Sequence, residues 1–245
     1  MRIAALSDVH GNLGALEAVL ADIATQAVDV VVNLGHVLSG ALQPRETADR
    51  LLPLNLPTVR GNHERQVLTV PPERMGASDR LASDTITDVH RAWLAALPLT
   101  LDVADGVLAF HGSPTDDLTY LLDTVTPGGA RPATETEVLD RLGAQAAVPL
   151  LLCGHTHLPR EMRLPTGALV VNPGSVGWPA YDDDSPHPHV MEAGSPHARY
   201  AITTRTDGGW TAEFRAVGYD WDAAAALAGS HGRPEVARAL RTGRV

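Results

Sequence analysis

The stretch Arg2-Ile3-Ala4-Ala5-Leu6-Ser7-Asp8-Val9-His10 is a short apolar run that ends in a carboxylate and an imidazole two residues apart. The apolar part predicts a buried strand over Arg2 to Ser7, and the C-terminal end of such a strand is where an α/β sheet presents its ligands. On an extended segment Asp8 and His10 project the same way. Four further clusters follow: Gly35-His36, Gly61-Asn62-His63-Glu64, His111-Gly112 and Gly154-His155-Thr156-His157. Each falls at the end of a predicted strand, and together with His10 they take up six of the eleven histidines. His155 and His157 repeat the spacing of Asp8 and His10. Ligands at the ends of successive strands predict a two-metal hydrolytic site.

Working outward, strands and helices alternate. Leu13 to Thr25 reads as a helix, because Leu13, Leu16, Val19, Leu20 and Ile23 share one face. Asp29 to Asn33 is a β-branched strand, Pro44 to Leu54 a helix opened by proline, and Pro57 to Arg60 a third strand. Ser78 to Leu97 holds one or two helices. Asp105-Gly106 joins Leu99–Ala104 to Val107–Phe110 as a hairpin. Thr134 and Glu137 form a capping box for a helix reaching Leu142, and Pro149 to Cys153 is a further strand. Two more hairpins turn at Thr166-Gly167 and Asp207-Gly208-Gly209, and helices over Ala223–Ala228 and Pro234–Arg241 close the chain. Helix-crossed strands followed by hairpins predict an α/β fold of two packed mixed β-sheets flanked by helices, a four-layer α/β/β/α sandwich. Residues 1–245 read as one domain, with a loop-rich insertion around 178–197 beside the site and a helical tail around 221–245.

Composition limits the partners. The formal net charge is −10, and all 19 basic residues are Arg. Such a balance lacks the basic footprint of a general nucleic-acid binder but leaves room for a small phosphoester. The absence of Lys suggests a GC-rich bacterial genome. One cysteine, Cys153, excludes an internal disulfide and fits a reducing compartment. No charged and apolar leader opens the sequence and no long apolar run crosses it, so the expectation is a soluble, cytoplasmic protein without membrane contact. A homo-oligomer is left open. His90, His187, His189, His197 and His231 lie outside the clusters and read as surface residues, although His187 and His189 are within reach of the site.

Any single pair here is weak, since Asn and Gly mark turns by themselves. Coincidence of four or five pairs at strand ends is what points to metal. A donor set of carboxylate, imidazole and amide oxygen suits Mn, Fe, Zn, Co or Ni better than Ca or Mg. In this order the motifs resemble the calcineurin-like metallophosphoesterase superfamily, and within it the small prokaryotic YfcE/MJ0936-type phosphodiesterases. The family pattern is Asp-x-His, Gly-Asp, Gly-Asn-His-Glu/Asp, a later His, and Gly-His-x-His. Val171-Asn172-Pro173-Gly174-Ser175-Val176-Gly177 also resembles this branch.

The resemblance implies a metallophosphatase-like fold and two divalent ions, with Mn2+ expected first. Asp8, His10 and His157 would hold one ion; Asn62, His111 and His155 would hold the other. His63 would face the phosphate and protonate the leaving oxygen, a role that suits imidazole. A hydroxide generated by the metals would attack phosphorus in line. The substrate would be a small nucleotide-type phosphodiester, with a phosphomonoester as the alternative.

Position 36 departs from the family. There the family has an Asp that bridges both ions; here stands His36. A neutral imidazole offers one lone pair and no negative charge, so it cannot hold two ions at the roughly 3.5–4 Å of a two-metal site. Three accounts compete: an introduced change that weakens activity or traps a ligand, a natural retuning to one or another metal, and decay. Retention of every other ligand argues against decay, and an introduced change is modestly preferred. The resulting expectation is unequal metal binding with weakened activity. The other class of function is a non-catalytic metal-binding protein. Specificity is expected from the loops Ser113–Pro132 and Trp178–Pro196.

Overall fold

A computed structural model describes all 245 residues, Met1 to Val245. In chain order the elements are β1 (Arg2–Leu6), α1 (Leu13–Ala24), β2 (Val30–Asn33), α2 (Pro44–Leu51), α3 (Asn62–Thr69), α4 (Ala77–Thr85), α5 (Asp88–Ala96), β3 (Thr100–Ala104), β4 (Val107–Phe110), β5 (Asp123–Thr126) and β6 (Gly129–Pro132). They continue with α6 (Glu135–Leu142), β7 (Leu150–Leu152), β8 (Pro159–Arg163), β9 (Leu169–Pro173), β10 (Ala180–Asp183), β11 (His189–Glu192), β12 (Ala198–Thr206), β13 (Gly209–Val217), α7 (Trp221–Ser230) and α8 (Pro234–Thr242).

Two sheets form the centre, in the orders β13-β12-β1-β2 and β3-β4-β7-β9-β8. Strands β1 and β2 are parallel, as are β4, β7 and β9, while the hairpin partners run antiparallel. Alternation along the strands divides the core into layers. Ile3, Ala5, Val32 and Leu34 of the first sheet meet Val107, Ala109, Leu150, Leu152 and Val171 of the second. On the outer face of the first sheet, Ala4, Leu6, Tyr200 and Ile202 pack against Leu16, Val19 and Ile23 of α1 and against Ala48, Ala82 and Leu94 of α2, α4 and α5. On the outer face of the second, Phe110, Leu151 and Val170 pack on Val138 and Leu142 of α6. This is the expected α/β/β/α layering.

Several expectations change. Pro57 to Arg60 forms no strand, only one parallel bridge between Asn33 and Thr58, because the chain turns at once into α3, which the sequence reading missed. The stretch Trp178–Pro196, read as a loop, contains the hairpin β10–β11; its Asp and Pro residues mask the strands. A second small hairpin, β5–β6, lies within the other loop region. His90 and His189 are buried. His90 caps α5 through Thr87 and its Nε2 meets Asp49 Oδ1 at 3.0 Å, while His189 Nε2 lies 3.1 Å from the Tyr120 hydroxyl. Pairing is what lets such polar rings leave the surface.

The loop after β1 is gripped from both sides. Val176 N and Gly177 N donate to Ser7 O and Asp8 O at 2.9 Å, and Ser175 Oγ donates to Asp8 O at 2.8 Å. A Cβ on Gly177 would collide with Val9 O, and one on Gly40 with His10 O. Gly177→Ala and Gly40→Ala should therefore each lower unfolding stability in urea by about 1–3 kcal/mol. Gly229→Ala, in open space within α7, should instead raise it by about 0.5–1 kcal/mol. Equal effects from all three would show that the loop is not clamped as described.

Candidate metal centre

The ligand-bearing loops leave β1, β2, β4 and β7 at their C-terminal ends, with α3 closing the fourth side. Their backbone is not extended. Asp8, His10, His36, His155 and His157 all adopt the left-handed region, with φ of 56°, 54°, 56°, 72° and 61°. Asp8 and His10, like His155 and His157, converge through these turns and not through strand alternation. Non-glycine residues pay for such backbone in strain of roughly 1–3 kcal/mol each, which gathers at functional sites. Asn62 and His63 likewise do not leave a strand. They open α3, where Asn62 faces the ligands and His63 the cavity.

All eight candidate residues come together. Donor atoms of Asp8, His10, His36 and His157 lie within 4.8 Å of one another. Asp8 Oδ1 stands 3.4 Å from His36 Nδ1, 3.5 Å from His157 Nε2 and 3.9 Å from His111 Nε2. His10 Nε2 and His157 Nε2 are 2.9 Å apart. The second group is looser: Asn62 Oδ1 lies 3.1 Å from His111 Nε2, and the His111 and His155 rings stand 5.0 Å apart. Asp8 is the only carboxylate of the eight.

Backbone carbonyls set the tautomers. His10 Nδ1 donates to Ser39 O at 3.0 Å and His111 Nδ1 to Leu34 O at 2.7 Å, so each Nε2 presents its lone pair inward, toward His157 Nε2 and Asn62 Oδ1 respectively. His155 Nε2 donates to Leu118 O at 3.0 Å and His36 Nε2 to Ser39 O at 3.2 Å, leaving each Nδ1 free. Fixing one ring nitrogen in this way orients the other toward a metal. Asp8 divides its two oxygens similarly. Oδ2 accepts from Ser7 Oγ at 2.6 Å and His155 N at 3.1 Å, whereas Oδ1 is buried without a hydrogen-bond partner, as is His36 Nδ1. A buried, orphaned carboxylate oxygen among imidazole lone pairs is the donor chemistry of a divalent cation site.

Two acids absent from the roles inferred from sequence support this arrangement. Glu64, inside α3, accepts from His36 N and Gly61 N through Oε2 and from Val37 N through Oε1, each at 2.8 Å. It thereby ties the β2 loop to α3. Asp79, in α4, lies with Oδ1 2.6 Å from His63 Nδ1, whose ring stacks on His36 at 3.8 Å. Glu64 was visible in its motif, but no spacing signal links position 79 to position 63.

Charge states follow from burial. Burial pushes the imidazoles of His10, His36 and His155 well below their usual value, since charging them would forfeit hydration. Burial would raise the Asp8 carboxyl, but the His157 and His111 rings facing it hold it well below the carboxylate range. Neutral imidazoles around an ionised carboxylate are the state a cation needs.

The chain belongs to the calcineurin-like phosphoesterase superfamily, whose domain model matches residues 1–193. It is similar to a metallophosphoesterase from Sphaerobacter thermophilus, at 25% identity with 99% of both chains covered and a TM-score of 0.74. The hypothetical protein PH1004 from Pyrococcus horikoshii shares the fold, at 18% identity, 99% and 98% coverage and a TM-score of 0.77. Among curated proteins, the uncharacterized protein MJ0912 of Methanocaldococcus jannaschii is 39% identical over 66 residues, which is 27% of this chain and 27% of that relative. No helix is long and apolar enough to cross a membrane.

The shifted histidines make the metal-stripped protein acid-sensitive. Their folded values lie below the unfolded value of about 6.5, so protons bind the unfolded chain first. Stability is level above that pH and falls as pH drops through it. Asp8 acts in the same direction lower down: its contribution is present above the unfolded value of about 3.9 and is lost as pH falls toward the folded one. Chelator-treated protein should hold its Tm between pH 7 and 8 and lose it steadily from pH 6.5 to 5. A level Tm through that interval would contradict neutral, buried imidazoles.

Proposed function

We propose that the protein is a metal-dependent phosphodiesterase acting on a small nucleotide-type phosphodiester. The observation that carries this reading is the buried, unpartnered Asp8 Oδ1, with His36 Nδ1 at 3.4 Å, His157 Nε2 at 3.5 Å and His10 in the same cluster. Asp8, His10 and His157 would hold one ion and Asn62, His111 and His155 a second, with Mn2+ the first candidate and Fe, Zn, Co or Ni the others. Divalent ions in such a site supply Lewis-acid polarisation of the phosphoryl group and a more acidic water.

The chain's own groups do the rest. Asp79 accepts from His63 Nδ1, which fixes the ring and leaves Nε2 to exchange a proton with the leaving oxygen. Stacking on His36 holds that ring at the cavity wall. The cavity admits a small molecule, and residues 1–245 act as one domain, because α8 at the far end of the chain closes the wall.

His36 acts in this reading as a fourth donor to the first ion and not as a bridge. Its Nε2 is engaged by Ser39 O, so only Nδ1 remains, beside Asp8 Oδ1. A second ion would share the single negative charge of Asp8. Whether the histidine arose naturally or was introduced, this donor set favours one tightly held ion. It also favours a second reading, a catalytically impaired metal-binding protein.

Metal analysis and kinetics separate the two. Purified protein should retain about one ion per chain, and His36→Asp should retain two. The restored carboxylate should raise turnover of bis(4-nitrophenyl) phosphate with saturating Mn2+ by about tenfold or more, since metal-assisted stabilisation is worth several kcal/mol. Two tightly held ions before mutation, or unchanged turnover after it, would refute this account of position 36. No turnover in either protein would favour the impaired reading.

His63 gives an independent check in the His36→Asp background. His63→Ala should cut turnover by about 10²-fold or more, the usual worth of a general acid, while metal content stays full. His157→Ala should lose metal and turnover together. Metal loss from His63→Ala would make it a ligand, and undiminished rates would make it a bystander.

A further inference from the structure

The cavity beside the ligands has a volume of 530 Å³, within the range of about 300–1,000 Å³ found for small-molecule sites. One end is formed by the candidate ligands. The other is walled by α8, which lies beyond the residues matched by the family model and was not among the specificity loops expected from sequence. Arg233 and Arg238 face the cavity from this wall.

The two guanidinium groups differ. Arg233 is committed: Nε meets Glu235 Oε1 at 2.5 Å, a terminal nitrogen donates to Ser78 Oγ at 3.1 Å, and the group lies 5.8 Å from the centre of the Trp178 ring. Trp178 in turn meets His10 edge-on at 5.0 Å, so it spaces α8 from the ligands. Arg238 is exposed and takes part in no ion pair or side-chain hydrogen bond. Its backbone is nevertheless held firmly. Val236, Ala237, Ala239 and Leu240 are buried, the last joining Ala41 and Leu42 in one apolar cluster, and Gly243 O just beyond the helix accepts from Gly194 N at 2.9 Å. Facing away from that buried side, residue 238 points to the cavity.

Strand β10 packs against α8 and brings groups of the other sign to the same cavity. Asp182 and Asp183 of β10 line the same cavity, and neither closes an ion pair with Arg238. Glu235 of α8 also lines the cavity but is paired with Arg233, so Arg238 is the one guanidinium of the lining left uncommitted. A phosphoester seated over Asp8, His10 and His157 and carrying a second negative group would find in Arg238 the one guanidinium free to receive it, with Asp182 and Asp183 disfavouring the group elsewhere along β10.

We propose that α8 selects the substrate, with Arg238 receiving a second anionic group, a phosphate or carboxylate, on the phosphoester. This rests on the phosphoesterase reading and names its substrate class. The arrangement suits guanidinium, which presents a planar fork of donors to an oxyanion.

Calorimetry on the Mn2+-loaded protein tests it with adenosine 5′-monophosphate and adenosine 3′,5′-bisphosphate. The bisphosphate should bind about tenfold or more tightly than the monophosphate, the worth of one hydrogen-bonded charge. Arg238→Gln should abolish that ratio, Asp182→Asn should widen it, and Arg205→Gln, exposed on β12 far along the chain, should leave it unchanged. Equal affinities in the unmutated protein would overturn the proposal. So would a ratio that survives Arg238→Gln, or one that falls equally in Arg205→Gln, which would indicate general charge alone. Turnover of bis(4-nitrophenyl) phosphate is measured in parallel. If it is absent from both the unmutated and the His36→Asp protein while the ratio behaves as expected, the phosphoesterase reading fails and the anion site stands; if it is present without the ratio, the reverse holds.

Discussion

The structure depends on keeping one ionised carboxylate, Asp8, buried with one oxygen satisfied and the other open. Oδ2 is held by Ser7 Oγ and His155 N, and Oδ1 is left to the imidazoles. An uncompensated buried charge costs several kcal/mol, so the surrounding backbone has to be locked for the site to persist without collapse. Three features do this: the clamp of residues 175–177 on the β1 loop, the hydrogen bonds of Glu64 to three backbone amides, and the left-handed turns at Asp8, His10, His36, His155 and His157.

Carbonyls are as important as side chains in that lock. Ser39 O receives both His10 and His36, Leu34 O receives His111, and Leu118 O receives His155. Each contact removes one ring nitrogen from competition and determines which lone pair faces the centre. The same device limits His36. With Nε2 held by Ser39 O, the imidazole can serve only one ion, whatever the spacing of the loops would otherwise permit.

The cavity combines parts of different origin. Its inner end, lined by the candidate ligands, comes from the loops of the two central sheets. Its outer walls come from β10 and from α8, which the apolar contacts of Val236 and Leu240 anchor near Ala41 and Leu42 of the β2–α2 loop. The candidate ligands and the charged outer wall are thereby placed on separate elements, so that charge on α8 can vary without disturbing the donors.

The layered fold was legible from sequence because burial enforces simple periodicities: continuous apolar runs at Leu150–Leu152 and Val30–Val32, a helical stripe over Leu16, Val19 and Ile23, and Gly-marked hairpin turns. The eight candidate residues were legible because each sits in a short motif at an element's end. The sequence could not determine how those motifs converge. Alternation suggested that Asp8 and His10 share a face, but left-handed backbone achieves this instead, and only contacts with Gly40 and Gly177 make room for it. Nor could it connect Asp79 with His63 or α8 with the cavity, since those partners lie 16 and more residues apart and no periodicity joins them. Local pattern determined which residues gather at the candidate site. Long-range packing decided which nitrogen of each histidine faces the centre, which oxygen of Asp8 stays open and which walls enclose the cavity, because those choices depend on carbonyls and glycines brought together from distant parts of the chain.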